Sequence, residues 1–271
     1  MDTEMDNMNT NSIENTPKIK LSAKGLYKVF GNRTALDHVS FDVEDGEFLS
    51  ILGPSGCGKT TILRILIGLL EPTDGTVIKD GVDITHFPAS KRGMGIVFQN
   101  YALFENMTVL ENVEYALKFD KRLKARSREI ALEQLEIVGL TESINKKPHA
   151  LSGGQQQRVA IARTLALQPD IILFDEPMSA LDVATRLTLR DQLKSIQHML
   201  GTTMIYITHD QEEAFAMSDH IIVMDNAVIH QHDTPLNIVE HPADQYIRDF
   251  VIHNLSVKIN SLLKFSRGDQ A

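Results

Sequence analysis

Residues 53–61 read Gly-Pro-Ser-Gly-Cys-Gly-Lys-Thr-Thr and follow the run Glu47-Phe48-Leu49-Ser50-Ile51-Leu52. No other stretch constrains the fold as tightly. A loop that wraps a phosphate chain must point successive backbone N–H groups inward, which needs dihedrals that glycine reaches cheaply and an approach that side chains would block. Gly53, Gly56 and Gly58 meet that need, with Pro54, Ser55 and Cys57 between them. Lys59 would then set a cation on the terminal phosphates, and Thr60 would offer a hydroxyl to Mg²⁺. The helix opening at Thr61 would add its positive end. The pattern G-x4-G-K-T, between a strand-like 47–52 and a helical 61–70, therefore marks a strand, a phosphate cradle and a helix in that order.

The rest of the chain repeats the alternation. Strand-like stretches at 19–29, 39–43, 76–78 and 95–98 precede a block of helical periodicity from about 109 to 165; strands return at 171–174, 203–207 and 220–224. Strands alternating with helices imply a mostly parallel sheet covered on both faces, with the helical block as an inserted lobe at about 100–165. The expected organisation is a disordered tail at 1–17, one domain over 18–252 and a short C-terminal tail at 253–271. The tail at 1–17 holds four carboxylates and no Lys or Arg, within a net charge of −9. That balance argues against a nucleic-acid surface. No apolar run approaches the length of a membrane span and no secretory leader opens the chain, so a cytosolic protein is expected. Cys57 is the single cysteine, which excludes an internal disulfide. Its place beside Lys59 and a helix N-terminus favours a reactive thiolate.

Two further segments narrow the chemistry. Ile171-Ile172-Leu173-Phe174-Asp175-Glu176 is an apolar strand ending in two carboxylates. Delivered beside the phosphate loop, Asp175 can hold Mg²⁺ through water, and Glu176, one step on, can take a proton from an attacking water. The second segment, Leu151-Ser152-Gly153-Gly154-Gln155, offers a hydroxyl and backbone amides at a helix start, a second anion site.

With its Walker A loop at 53–61, the chain resembles the ATP-binding cassette (ABC) family over residues 19–252, 151–155 matching its LSGGQ signature. The resemblance implies an α/β P-loop NTPase fold of ABC type: a mixed, largely parallel core sheet, an N-terminal antiparallel β subdomain and the inserted helical lobe. It implies ATP and Mg²⁺ as ligands and a head-to-tail dimer. Each ATP would lie between one chain's loop (Gly53–Thr61) and the other's Ser152, Gly153, Gly154, Gln155 and Asp182, the last in the D-loop match Ser179-Ala180-Leu181-Asp182. Gln99 matches the Q-loop glutamine that senses Mg²⁺, and His209 the switch histidine that contacts the γ-phosphate. Phe30 matches the aromatic that stacks on adenine, with Tyr27 as its rival.

Asn100–Val109 and Thr208–Ala214 resemble ATPase subunits of binding-protein-dependent importers, the group with iron(III), polyamine, sulfate and phosphonate systems. Val183-Ala184-Thr185-Arg186-Leu187 is closer to the shorter sulfonate and nitrate type. The importer resemblance implies a peripheral protein on the cytoplasmic face of the membrane, paired with a second ATPase subunit, identical or not, with permease subunits, and indirectly with an extracytoplasmic solute-binding protein. Tyr101, Leu103, Phe104 and Met107 are expected at the permease groove. Members of that group carry a C-terminal regulatory β-domain; some twenty residues follow Phe250-Val251 here, so regulation of that kind is not expected. The alternative is a non-transport ABC ATPase of DNA repair or translation.

Overall fold

The structure, a computed structural model, describes residues 18–266; the tail expected at 1–17 lies outside the described residues, as do residues 267–271. Two sheets organise the described chain. The first is antiparallel, in the order β2-β1-β4-β5, formed by β1 (Ile19–Phe30), β2 (Arg33–Glu44), β4 (Asp74–Lys79) and β5 (Val82–Asp83). The second has the order β10-β9-β3-β8-β7-β6, from β3 (Phe48–Leu52), β6 (Met94–Val97), β7 (Ile171–Asp175), β8 (Thr203–Thr208), β9 (His220–Asp225) and β10 (Val228–Asp233). All its pairings are parallel except β10 with β9. Thus β3 enters the parallel sheet directly after the antiparallel hairpin that precedes it in sequence.

Side chains that alternate along a strand explain why these runs are apolar throughout. On β7, Ile171 and Leu173 pack on the face shared with the antiparallel sheet and α1 (Lys59–Ile67). Ile172 and Phe174 pack on the opposite face, with the helical lobe. β8 divides the same way, Ile205 and Ile207 on one side, Met204 and Tyr206 on the other.

The lobe consists of α2 (Val109–Leu117), α3 (Ser127–Ile137) and α4 (Gly153–Leu165). Local chemistry starts its helices: Thr108 and Glu111 form a capping box on α2, and Ser152 and Gln155 form one on α4. Buried Asn112 fastens the loop before α2, accepting from the Phe104 N–H at 2.8 Å and donating to the carbonyls of Phe104, Met107 and Thr108.

After β7 come α5 (Val183–Leu200), α6 (Gln211–Met217) and α7 (Pro235–Glu240), then a short α8 (Gln245–Ile247), a π-helical turn over Arg248–His253 and α9 (Asn254–Ser266). The last lies in the segment expected as a short C-terminal tail.

The expected α/β architecture is present, with the antiparallel sheet first and the lobe inserted between β6 and β7. Two strands, β5 and β10, lie outside the sequence expectation, and β2 begins earlier than expected. β2 begins at Arg33, where Arg33-Thr34-Ala35-Leu36-Asp37-His38 lacks alternation because the register on β1 shifts repeatedly and His38 takes φ 52°. β10, Ile229-His230-Gln231-His232 at its centre, is an edge strand whose side chains are mostly half-buried, so no apolar run announces it.

Candidate functional site

β3 is buried along its whole length and stops at Leu52, where the chain turns through 53–58 into α1. The fold needs these glycines independently of any ligand. A Cβ at Gly53 would collide with the Met224 carbonyl oxygen, and one at Gly58, whose φ is +116°, would lie 2.5 Å from the Ala35 carbonyl oxygen. Lys59 is only 4% exposed and donates to the carbonyls of Gly53 at 2.7 Å and Pro54 at 2.9 Å. Its ammonium also lies 3.9 Å from Glu176 Oε1.

Thr60 donates to Asp175 Oδ1 at 3.3 Å, joining the first turn of α1 to the end of β7. Burial pushes the Asp175 carboxyl above its ordinary value, opposed by the Thr60 hydrogen bond and reinforced by the Glu176 charge. A carboxylate disfavoured in this way gains most from a bound cation. Glu176 has φ 44°, a left-handed backbone that costs a glutamate about 1–2 kcal/mol. Its N–H is held by the Ile207 carbonyl at 3.1 Å, and its Oε2 hydrogen-bonds His209 Nδ1 at 2.9 Å. Gln99 donates to Ser179 Oγ at 3.0 Å, and Ser179 donates to the Glu176 carbonyl at 3.0 Å.

Lys59, Thr60, Gln99, Asp175 and Glu176 border one cleft of about 530 Å³. Its lining includes Phe30, Ser55, Gly56, Gly58, Lys59, Thr60, Thr61, Gln99, Asp175 and Glu176 of the sequence-derived set, with Arg33 and Ala35 added. Phe30 is 49% exposed at one end, with Lys28 Nζ 5.3 Å from its ring centroid. The rival Tyr27 is off the cleft lining and stacks on His38 at 5.0 Å. His209 lines a small neighbouring cavity that shares Glu176.

Gly53, Pro54 and Cys57 do not line the cleft. The reactive thiolate expected at Cys57 is corrected here: the side chain is buried, and burial raises the thiol's pKa despite the nearby Lys59 charge. Local spacing showed the cation but not that the sulfur turns inward.

Ser152, Gly153, Gly154, Gln155 and Asp182 are also absent from the cleft lining. They gather at two helix starts. Ser152 Oγ accepts from the Gln155 N–H at 3.3 Å, and Gln155 Oε1 accepts from the Ser152 N–H at 3.0 Å. Asp182 caps α5, accepting from the Thr185 N–H at 3.0 Å and the Thr185 hydroxyl at 2.7 Å. α4 and α5 meet closely here, since a Cβ on Gly154 would collide with Thr185 Cγ2. The glutamine run has separate local uses: Gln155 caps, Gln156 donates to the Pro148 carbonyl at 3.1 Å, and Gln157 is fully buried.

Sequence reasoning missed three arginines around these parts. Arg33 donates to the Gly56 carbonyl at 3.2 Å across the cleft mouth. Arg163 of α4 donates to the carbonyls of Tyr101 at 2.9 Å and Ala102 at 2.7 Å, both residues having positive φ just after Gln99. Arg186 joins α5 to the loop of His209. No consecutive pattern marks them, because each acts on a distant segment.

On the lobe, Phe104 packs on Tyr115 at 4.5 Å and Tyr115 on Phe119 at 5.3 Å, all three exposed; Tyr101, Leu103 and Met107 are half-buried beside them. Among the described residues no helix is long and apolar enough to cross a membrane.

The family model described as ABC transporter matches residues 36–179. The chain is 48% identical over 231 residues to the spermidine/putrescine import ATP-binding protein PotA of Marinobacter nauticus, a match covering 85% of this chain and 62% of that protein. It is 50% identical over 228 residues to the Fe(3+) ions import ATP-binding protein FbpC of Brucella abortus, covering 84% and 65%. The chain thus spans less than two thirds of the length of these curated relatives. Among solved structures it is similar to the ATP-binding cassette MJ0796, in a dimeric post-hydrolysis state bound to ADP and Pi, with TM-score 0.71, 38% identity and coverage of 79% and 98%. It is also similar to cbiO1 of Clostridium perfringens, part of the ABC transporter complex cbiONQ, with TM-score 0.78, 26% identity and coverage of 90% and 99%.

Proposed function

The chain belongs to the ABC transporter family, and from that premise we propose that it is the ATP-hydrolysing subunit of a solute importer. Residues 18–252 act as its ATP-binding unit. One observation carries the reading: Lys59, Thr60, Gln99, Asp175 and Glu176 converge on a single cleft, whereas the Ser152–Gln155 helix start and Asp182 lie off it. That separation supports a nucleotide completed by a second chain.

The donor set suits Mg²⁺. Thr60 Oγ1 and Asp175 Oδ1, 3.3 Å apart, are hard oxygen donors, and a cation that keeps waters and shares phosphate oxygens needs few protein ligands. Thr60, Asp175 and Gln99 would hold it, and when bound it neutralises charge on the phosphates.

The chain's own groups do the rest. Phe30 offers a face to the adenine, the backbone N–H groups of the 53–61 loop (Pro54 has none) and the Lys59 ammonium bind the phosphates, and Glu176 takes a proton from the attacking water. His209 keeps Glu176 aimed and faces the terminal phosphate. Ser152, Gly153, Gly154, Gln155 and Asp182 contact the nucleotide of the opposing chain.

The aromatic face of Phe104, Tyr115 and Phe119 docks permease subunits, which places the protein peripherally on the cytoplasmic side of the membrane. Cargo is recognised by the permease and by an extracytoplasmic solute-binding protein. Relatives of nearly equal identity are named for a polyamine and for ferric ions, as expected if the ATPase subunit never touches cargo.

The test is Glu176→Gln. It removes the base and keeps the size, so hydrolysis should fall to background while ATP binding persists and ATP drives dimerisation on size exclusion. Continued turnover, or a monomer at saturating ATP, would refute the assignment.

A further inference from the structure

Beside the cleft, a small polar cavity of 30 Å³ is lined by Glu176 and His209 together with Arg186, Asp210 and Glu213. The arginine comes from α5, one turn after Asp182 caps that helix. Its guanidinium is divided among three partners. Nη2 donates to the Leu181 carbonyl at 3.2 Å and Nη1 donates to Asp210 Oδ2 at 3.1 Å, while the buried Nε makes no hydrogen bond and faces Glu213 Oε1 as an ion pair at 3.6 Å.

The two carboxylates grip both flanks of His209. Asp210 follows it directly, and the Asp210 N–H donates to Thr208 Oγ1 at 2.9 Å. Thr208, on the other side, donates to Glu213 Oε2 at 2.8 Å, where the Tyr206 hydroxyl also donates at 2.8 Å. Asp210 Oδ1 is engaged separately, accepting from the Glu212 N–H at 2.8 Å to cap α6. The residues before and after the histidine are therefore tied to acids that share one guanidinium, and that guanidinium is anchored to the carbonyl preceding Asp182.

We propose that Arg186 is a positioning residue that links the Leu181–Asp182 segment to the His209 imidazole, so that seating a second copy of the chain against Asp182 re-aims His209 on Glu176. The inference rests on the split-site reading above and adds to it a route from the opposing chain to the water-activating pair. Two hydrogen-bond acceptors and a facing carboxylate, in three directions, call for the rigid fork of a guanidinium; an ammonium can neutralise the acids but cannot hold them and the carbonyl in one geometry.

The experiment compares wild type, Arg186→Lys and Arg186→Ala in full-length protein. The imidazole ¹H–¹⁵N spectrum is recorded without nucleotide at fixed pH, with His209 signals assigned through His209→Asn. Steady-state ATPase kinetics, fluorescent ATP-analogue affinity and melting temperature accompany it. Arg186→Lys should melt like wild type, bind the analogue within about twofold, shift the His209 signals and lose about tenfold or more in kcat with KM nearly unchanged, the scale expected of a misplaced catalytic group.

Unshifted His209 signals in both variants, or wild-type kcat in Arg186→Lys, would overturn the proposal. So would affinity, stability and kcat falling together in both variants, which marks a residue that only supports the fold. A wild-type protein that binds no ATP would instead defeat the ATPase reading, and the His209 spectrum would still decide whether Arg186 sets the imidazole.

Discussion

At the scale of single residues, Asp175, proposed to hold Mg²⁺, sits where the fold disfavours its charge. Burial raises its pKa above that of the unfolded chain, so folding disfavours its charged form. The penalty is full at pH above the folded value, declines as the pH falls through it and vanishes below the unfolded value. Asp175→Asn should therefore melt higher than wild type at neutral pH without nucleotide, the gap closing on acidification, and should lose Mg²⁺-dependent nucleotide affinity. Calorimetry over a pH series checks the sign; a lower neutral-pH melting point in the variant would contradict it. A second pair of variants separates the two halves of the site. Lys59→Ala should lose ATP affinity in the isolated chain, and Ser152→Arg should keep it while abolishing turnover. Fluorescent-nucleotide titration decides, and equal losses would contradict a site divided between chains. Buried Cys57 should be alkylated slowly in the folded protein and quickly in urea, with Cys57→Ala still active.

Between secondary-structure elements, the support of α1 is the most concentrated feature. Its carbonyl end meets Arg92, whose guanidinium, 3% exposed, donates to Ile65 at 2.7 Å, Leu66 at 2.8 Å, Thr85 at 2.7 Å and Phe87 at 2.9 Å, all backbone carbonyls. A cation there complements the negative end of the helix dipole and ties the short helix that carries Lys59 and Thr60 to the segment before β6. Gly68 leaves the room, since a Cβ there would lie 2.5 Å from Arg92 Nε. Arg92→Ala leaves four buried acceptors and a cavity and should cost about 3 kcal/mol or more in urea unfolding. Arg92→Lys should recover only part of that, because three donors on one nitrogen cannot reach carbonyls spread around a fork. A loss under about 1 kcal/mol for Arg92→Ala would show that water replaces the guanidinium at little cost.

For the whole molecule, docking and catalysis should come apart. Phe119 is 74% exposed on the aromatic face and distant in sequence from every cleft residue. Phe119→Ala should change stability by no more than about 0.5 kcal/mol, keep the ATPase activity of the isolated chain and lose co-purification with co-expressed permease subunits. Unimpaired co-purification would move the docking face elsewhere. With a net charge of −9, the chain should not bind protein-free anionic vesicles. What the sequence by itself determined was local: the loop at 53–61, the carboxylates ending β7, the helix start at Ser152 and the alternation of strands and helices. Each is written in a few consecutive residues, because a cradle, a cap or a strand is made by neighbours along the chain. Only the tertiary structure decided that Cys57 turns inward, that Phe30 and not Tyr27 borders the cleft, that polar β10 is a strand, and that Arg33, Arg92, Arg163 and Arg186 fasten the working parts. Those outcomes depend on partners brought together by the fold, such as Arg163 and Tyr101 at a separation of 62 residues, and the reach of a long cationic side chain to a distant carbonyl leaves no periodicity in the sequence.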